Sequence, residues 1–364
     1  MIHTTIQRID QSLMAFLARS RNEYPFGQVH PILFDSIQDF CARPGKRIRP
    51  LLMALSYQGY TPRKKLPSHL YTACGCLELL HDFMLIHDDI IDCSDLRRGK
   101  PTLHKILAHA HKATRSTKLG SDLAIVAGDI VYALAIDAFL TVKEDPARKE
   151  KALKYFVQTA AFTAMGEFID ILHGFEHVKN IAEKDVFLNY SLKTARYTFE
   201  CPLRIGAILA GIDGKELETL SKIGLMMGQA FQVQDDIIGI FSTEQKIGKS
   251  ILSDIAEYKK TILVCHAYQT LTGSRRRQFM KIFEKPNKTY ADLVKIRRIF
   301  IDAGSLTYSL EKVFTLLSQS SKLLKILHMK PIFKKALWKV LSALFDQSRN
   351  VAEAHGRSFA PYGL

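Results

Sequence analysis

Two aspartate-rich segments sit inside sequence that is otherwise apolar and helix-forming. The first is His87-Asp88-Asp89-Ile90-Ile91-Asp92 and the second is Gln232-Val233-Gln234-Asp235-Asp236-Ile237-Ile238-Gly239, with Asp88 and Asp235 147 positions apart. A carboxylate on an apolar wall is costly unless something positive binds it. Each segment is also followed by cations: Arg97-Arg98-Gly99-Lys100 after the first, and Lys249 with Lys259-Lys260 after the second. Those cations call for something negative. Carboxylates, Mg²⁺ and a diphosphate together satisfy both demands, because Mg²⁺ usually takes one or two carboxylates plus substrate phosphate oxygens.

Around these segments the apolar residues recur with the helical period, and no series of alternating strand segments appears. The spacing predicts helices over 67–92, 121–140, 147–173, 183–197, 201–211, 215–240, 254–271, 305–327 and 331–352, among others, separated by Pro and Gly breakers. The fold class is all-α. No linker, repeat or low-complexity tract divides the 364 residues, so one domain over 1–364 is expected. Its motif-bearing core covers about 40–310, and the helices of 311–364 carry no motif. Leu123 to Leu140 is apolar enough to suggest a membrane span, but Asp129 and Asp137 interrupt it. Each would cost about 2.5–3.5 kcal/mol at a bilayer centre, so a buried helix is expected and no transmembrane segment.

Composition limits the partners. A hydrophobic share of 47% with 24% charged residues is that of a globular chain. The net charge of +15 favours an anionic partner. Nucleic acid is not expected, because the cations near the acidic motifs alternate with carboxylates and no zinc-finger or aromatic RNA-binding pattern accompanies them. Six scattered cysteines and no secretory segment predict reduced thiols and a cytoplasmic location.

On an ideal helix with His81 at zero, Asp88 falls at about −20° and Asp92 at about 20°. The three form one stripe, and two carboxylates a turn apart can share a hard cation. Gln232, Asp235 and Asp236 cluster on one side of the second helix, while Gly239 offers no ligand where a further carboxylate would extend the pattern. Upstream, Gly45-Lys46-Arg47-Ile48-Arg49-Pro50 places cations and free backbone N–H groups at a helix start, which suits a second phosphate held without metal.

In these residues the chain resembles the trans-isoprenyl diphosphate synthases (polyprenyl synthetases), which include farnesyl and geranylgeranyl diphosphate synthases. The matching blocks are Gly45 to Pro50, Leu85 to Asp92 with Arg97 to Thr102, Ala127-Gly128-Asp129, Lys193-Thr194-Ala195, Phe231-Gln232 with Asp235-Asp236, and Gly248-Lys249 through Asp254 to Lys259-Lys260-Thr261. They occur in family order over roughly residues 40 to 310. The resemblance implies a helical bundle around a deep central cavity, a homodimer, and Mg²⁺-dependent condensation of an allylic diphosphate with isopentenyl diphosphate. By the same resemblance Asp88, Asp92 and Asp235 would bind Mg²⁺, with Asp89 and Asp236 behind them. Arg97, Lys193, Lys249 and Lys259 would grip the allylic diphosphate, and Lys46, Arg49, His81 and Arg98 that of isopentenyl diphosphate. Lys193, Thr194 and Gln232 would face the transient allylic cation.

Two departures stand out: Gly239, and Glu167 where Gln is common in the family. Bulky residues before the first acidic motif limit product length in such enzymes. The family points to Phe83, whereas the ideal helix places Met84 nearer the aspartate stripe and Phe83 about 140° from Asp88. A short product is expected, geranylgeranyl before farnesyl, with a longer polyprenyl chain as the alternative. A terpene cyclase would require an Asn/Ser/Glu metal triad at the second motif, and a non-catalytic subunit would have lost acidic ligands.

Overall fold

The computed structural model describes residues 1–110, 117–241 and 258–357. They form α1 (Ile2–Glu23), α2 (Phe26–Val29), α3 (Pro31–Cys41), α4 (Ile48–Tyr60), α5 (Ser68–Ile91), α6 (Leu103–Ala110), α7 (Thr117–Leu140), α8 (Pro146–Phe175), α9 (Glu183–Tyr190), α10 (Cys201–Leu209), α11 (Gly214–Phe241) and six further helices between Ile262 and Ala354. The all-α expectation holds. Two compact units are distinguished: Met1–Leu153 with Ile205–Gly211, and Lys154–Arg204 with Ile212–Leu364. Two of the divisions, at 153/154 and 204/205, fall within helices, and the third falls in the short turn between α10 and α11.

In the first unit α5 is the core element. Its first four turns are buried nearly all round, from Leu70 and Tyr71 through Cys74, Leu77 and Leu80, the pattern of a helix enclosed by others. It packs against α1, α4 and α7. Each leucine buried there contributes about 1.5–3 kcal/mol. Leu13 and Leu17 of α1 and Leu51, Leu52 and Leu55 of α4 are likewise buried. α7 is long and apolar enough to cross a bilayer by composition, yet Ala124, Ala127, Val131, Ala135 and Ala138 are buried and the helix packs along α5. Asp129 lies on its exposed face.

α5 ends in a Schellman motif. Ser94 N–H donates to Asp89 O at 2.9 Å and Cys93 N–H to Ile90 O at 3.2 Å, with Cys93 left-handed at φ 51° in the place usually filled by glycine. The chain therefore reverses directly after Asp92. It then forms a hairpin of Leu96–Arg97 paired with Lys100–Pro101, which periodicity did not anticipate, just as it did not anticipate the helix Gly273–Phe283. Arg98 (φ 56°) and Gly99 (φ 74°) make its two-residue turn. Two positive φ values in a two-residue loop match strand twist in a type I′ turn, and glycine at the second position is what such a turn prefers.

In the second unit α11 is central, packing on Ser191–Glu200 and on Ser305–Ile326. Residues Ser191–Glu200, expected as the end of one α-helix and a break, continue α9 as a π-helix that runs on into α10. A π segment widens the turn and is found mostly at functional sites. Gly166 on α8 allows the two segments to approach closely there: a Cβ would lie 2.3 Å from the Lys193 backbone nitrogen. The expected helix 331–352 is two, Pro331–Ala343 and Asp346–Ala354. Gln234 of α11 anchors the break between them, donating to Leu344 O at 2.7 Å and accepting from Ser348 Oγ at 2.8 Å. The helix expected from 254 begins at Ile262 with Thr261 as its cap, so Lys259 and Lys260 precede it. All six cysteines are free thiols.

Candidate active site

The Schellman turn and hairpin return Arg97 to the end of α5. Its Nε lies 2.8 Å from Asp89 Oδ1 and its Nη2 3.2 Å from Asp88 Oδ2. Asp89 is fully buried. Burial pushes its carboxyl up to about 6, with Arg97 pulling the other way. Asp88 is half-buried, and so is Asp92 one turn on. Their oxygens are the hard donors Mg²⁺ prefers, and two protein carboxylates are the number it usually takes before substrate oxygens complete the shell. Among the described residues no set of three His, Cys, Asp or Glu side chains converges as a metal site.

Guanidinium groups crowd the neighbouring surface of the first unit. Arg47, in the left-handed region at φ 50° ahead of α4, is buried. It donates to Asp10 at 2.7 Å, Glu78 at 3.0 Å and Arg43 O at 3.1 Å. Arg98 is exposed, with its Nη1 3.3 Å from Arg43 O and its Nη2 3.9 Å from Glu78. His81 is half-buried here. Burial first, then the charges of Arg49, Arg98, Arg97 and Arg47, drive its pKa well below the ordinary imidazole value. It is neutral at physiological pH, able to donate one N–H. Arg49 stands in the first turn of α4, and Lys46 is exposed just before it. Phe83 stacks on Tyr132 of α7 with ring centroids 4.9 Å apart and meets His87 edge-on at 4.8 Å, while Met84 is half-buried on the next position of α5.

In the second unit, Lys193, Thr194, Gln232, Asp236 and Lys259 line one cleft, and Gln232, Asp235, Asp236 and Lys259 share an adjoining one. A hydrogen-bond chain fixes their orientation. The Thr194 hydroxyl donates to Gln232 Oε1 at 2.7 Å, Gln232 Nε2 donates to Asp236 at 3.3 Å, and the Tyr190 hydroxyl donates to the other Asp236 oxygen while accepting from Ile262 N–H at 3.0 Å. Lys193 Nζ is shared between Glu167 and Asp170, 2.7 Å from each. Burial would raise the Asp170 carboxyl, but Lys193 and then Lys259 hold it below its usual range. Lys249 lies outside the described residues, as do Gly248 and Asp254.

Sequence reasoning gave no role to Tyr190, Asp170, Glu78 or Asp82. For Glu78 and Asp82 a signal existed: acids four apart on an apolar helix, one on each side of His81, invite the same question as Asp88. Tyr190 had none, since a tyrosine at a helical core position reads as packing.

A model of the polyprenyl synthetase family matches residues 30–300. A short chain isoprenyl diphosphate synthase of Methanocaldococcus jannaschii is 30% identical over 78% of this chain and 77% of its own length. A geranylgeranyl diphosphate synthase of Sulfolobus acidocaldarius is 31% identical over 77% of this chain and 79% of its own. The crystal structure of geranylgeranyl pyrophosphate synthase from Corynebacterium glutamicum, complexed with isoprenyl diphosphate and magnesium, superposes with a TM-score of 0.85 over 95% of this chain and 99% of that one, at 24% identity. The chain belongs to the polyprenyl synthetase family.

Proposed function

We propose that this protein condenses isopentenyl diphosphate head-to-tail with an allylic diphosphate, releasing diphosphate and giving a short all-trans prenyl diphosphate. Geranylgeranyl diphosphate is the favoured product and farnesyl diphosphate the next. In a chain of this family, the observation that carries the reading is that each aspartate motif has cations beside it: Arg97 against Asp88 and Asp89, and Lys259 lining the clefts with Asp235 and Asp236.

Asp88, Asp92 and Asp235 are assigned to Mg²⁺, which when bound supplies positive charge to the departing diphosphate. Asp89 acts by orienting Arg97, and Asp236 through its bonds to Gln232 and Tyr190. Arg97, Lys193, Lys249 and Lys259 neutralise the leaving oxygens, so that the allylic carbon–oxygen bond can break. Lys46, Arg49, Arg98 and neutral His81 hold the diphosphate of isopentenyl diphosphate. Its alkene carbon attacks the allylic cation, forming the new carbon–carbon bond, and a proton is then lost to the released diphosphate. Thr194 and Gln232 turn their dipoles toward that cation. Holding the two substrates in register supplies much of the rate.

We assign product length to Phe83, supported by its stack on Tyr132, with Met84 beside it. A cytoplasmic homodimer is part of the same reading. In the second unit α8 exposes Val157, Met165, Phe168, Leu172 and Phe175, from 42% to 90% accessible, and a contiguous apolar patch of that kind marks an interaction site. The test is purified protein with labelled isopentenyl diphosphate and each allylic starter, with and without Mg²⁺. Prenyl diphosphate should form only when all three are present. Hydrocarbon from geranylgeranyl diphosphate alone would instead identify a cyclase.

A further inference from the structure

Asp82 is fully buried on α5, one turn after Glu78 and next to His81. The Cys41 thiol of α3 is a weak donor beside it, and no guanidinium or ammonium of the described residues bonds either of its carboxyl oxygens. An ionised carboxylate so placed would be left uncompensated. The titratable and charged groups facing it are Glu78 on its own helix, the Cys41 thiol from α3, Arg47 from the start of α4 and Arg98 from the hairpin. Asp10 of α1 joins through Arg47, and Tyr132 of α7 lies against the neighbouring Phe83. Glu78 already occupies Arg47 at 3.0 Å and stands 3.9 Å from Arg98. Two acids, Asp10 and Glu78, are thus already matched to these two arginines, and a third ionised acid would compete with substrate for Arg98.

We propose that Asp82 is a positioning residue for the isopentenyl diphosphate subsite: protonated, it leaves the Arg98 guanidinium to the diphosphate, and ionised, it draws that guanidinium inward and weakens the hold. The inference rests on Arg98 and His81 serving that diphosphate, as argued above. Burial first, then the Glu78 charge, push the Asp82 carboxyl up to about 8, so the change falls in an accessible range.

The experiment compares the wild type with Asp82→Asn, measuring KM for isopentenyl diphosphate, KM for the allylic diphosphate and kcat from pH 6.5 to 9. The wild-type KM for isopentenyl diphosphate should rise about fivefold between pH 7 and 9, relative to a flatter Asp82→Asn profile. The allylic KM and kcat should follow one profile in both proteins, which a general loosening of the core would not allow. If Asp82→Asn does not accumulate as folded protein, Asp82→Ser also lacks the ionisable group and decides by the same comparison. Shared pH profiles for isopentenyl diphosphate, or failure of both variants to fold, overturn the proposal. A wild type making no product from the two substrates overturns the catalytic reading itself, a distinct outcome.

Discussion

The Lys193 ammonium lies 2.7 Å from a Glu167 carboxylate oxygen and is also shared with Asp170. A lysine assigned to a diphosphate is thus held by two negative groups before any substrate arrives. Glu167→Gln should free part of that charge. We expect the KM for the allylic diphosphate to fall about fivefold, near 1 kcal/mol, with the KM for isopentenyl diphosphate unchanged. An unchanged or higher allylic KM in steady-state assays would remove Glu167 from substrate selection.

Tyr190 bridges Asp236 and the Ile262 amide at the start of the following helix. Tyr190→Phe leaves a buried N–H without its acceptor and Asp236 without one donor. A loss of about 1–3 kcal/mol in stability is expected, together with lower kcat. Thermal unfolding beside the assay tests both. Full activity in a destabilised variant would confine Tyr190 to the fold.

Asp92→Asn takes a hard ligand from the end of α5 and should reduce kcat/KM by about 10²-fold or more. Chelation of divalent ions should abolish wild-type turnover, and added Mg²⁺ should restore it. Turnover surviving chelation would sink the metal assignment.

Phe83→Ala removes the ring stacked on Tyr132. The product should lengthen by whole isoprene units, read by chromatography of the dephosphorylated chains. An unchanged distribution would turn attention to Met84.

Asp82 also makes a stability prediction. Its carboxyl titrates at about 8 in the folded chain and near 3.9 when unfolded. The unfolded chain loses this proton first, so the group's contribution to stability is present at acid pH and declines as pH rises toward 8. Asp82→Asn has no such dependence. Its melting temperature should gain on the wild type between pH 5 and 8, and parallel curves would contradict the assignment.

What the sequence determined by itself is the part that depends on local rules. Periodicity located most of the helices, though not Gly273–Phe283, because a burial stripe of period 3.6 is a local property of the chain. Acids within apolar stretches singled out both motifs, because an uncompensated carboxylate is expensive wherever it is buried. Tertiary structure decided the rest. The π-helix at Lys193 is associated with the close approach of Gly166 on α8, a contact between segments that no local period encodes. The helix break at Leu344 is met by Gln234, more than a hundred residues earlier in the chain. The division of labour among arginines is also tertiary. Arg47 and Arg49 belong to one basic turn, yet Arg47 is consumed by Asp10 and Glu78. Which cations are used up depends on which carboxylates other helices bring to them, and pairing over such separations leaves no mark on either segment alone.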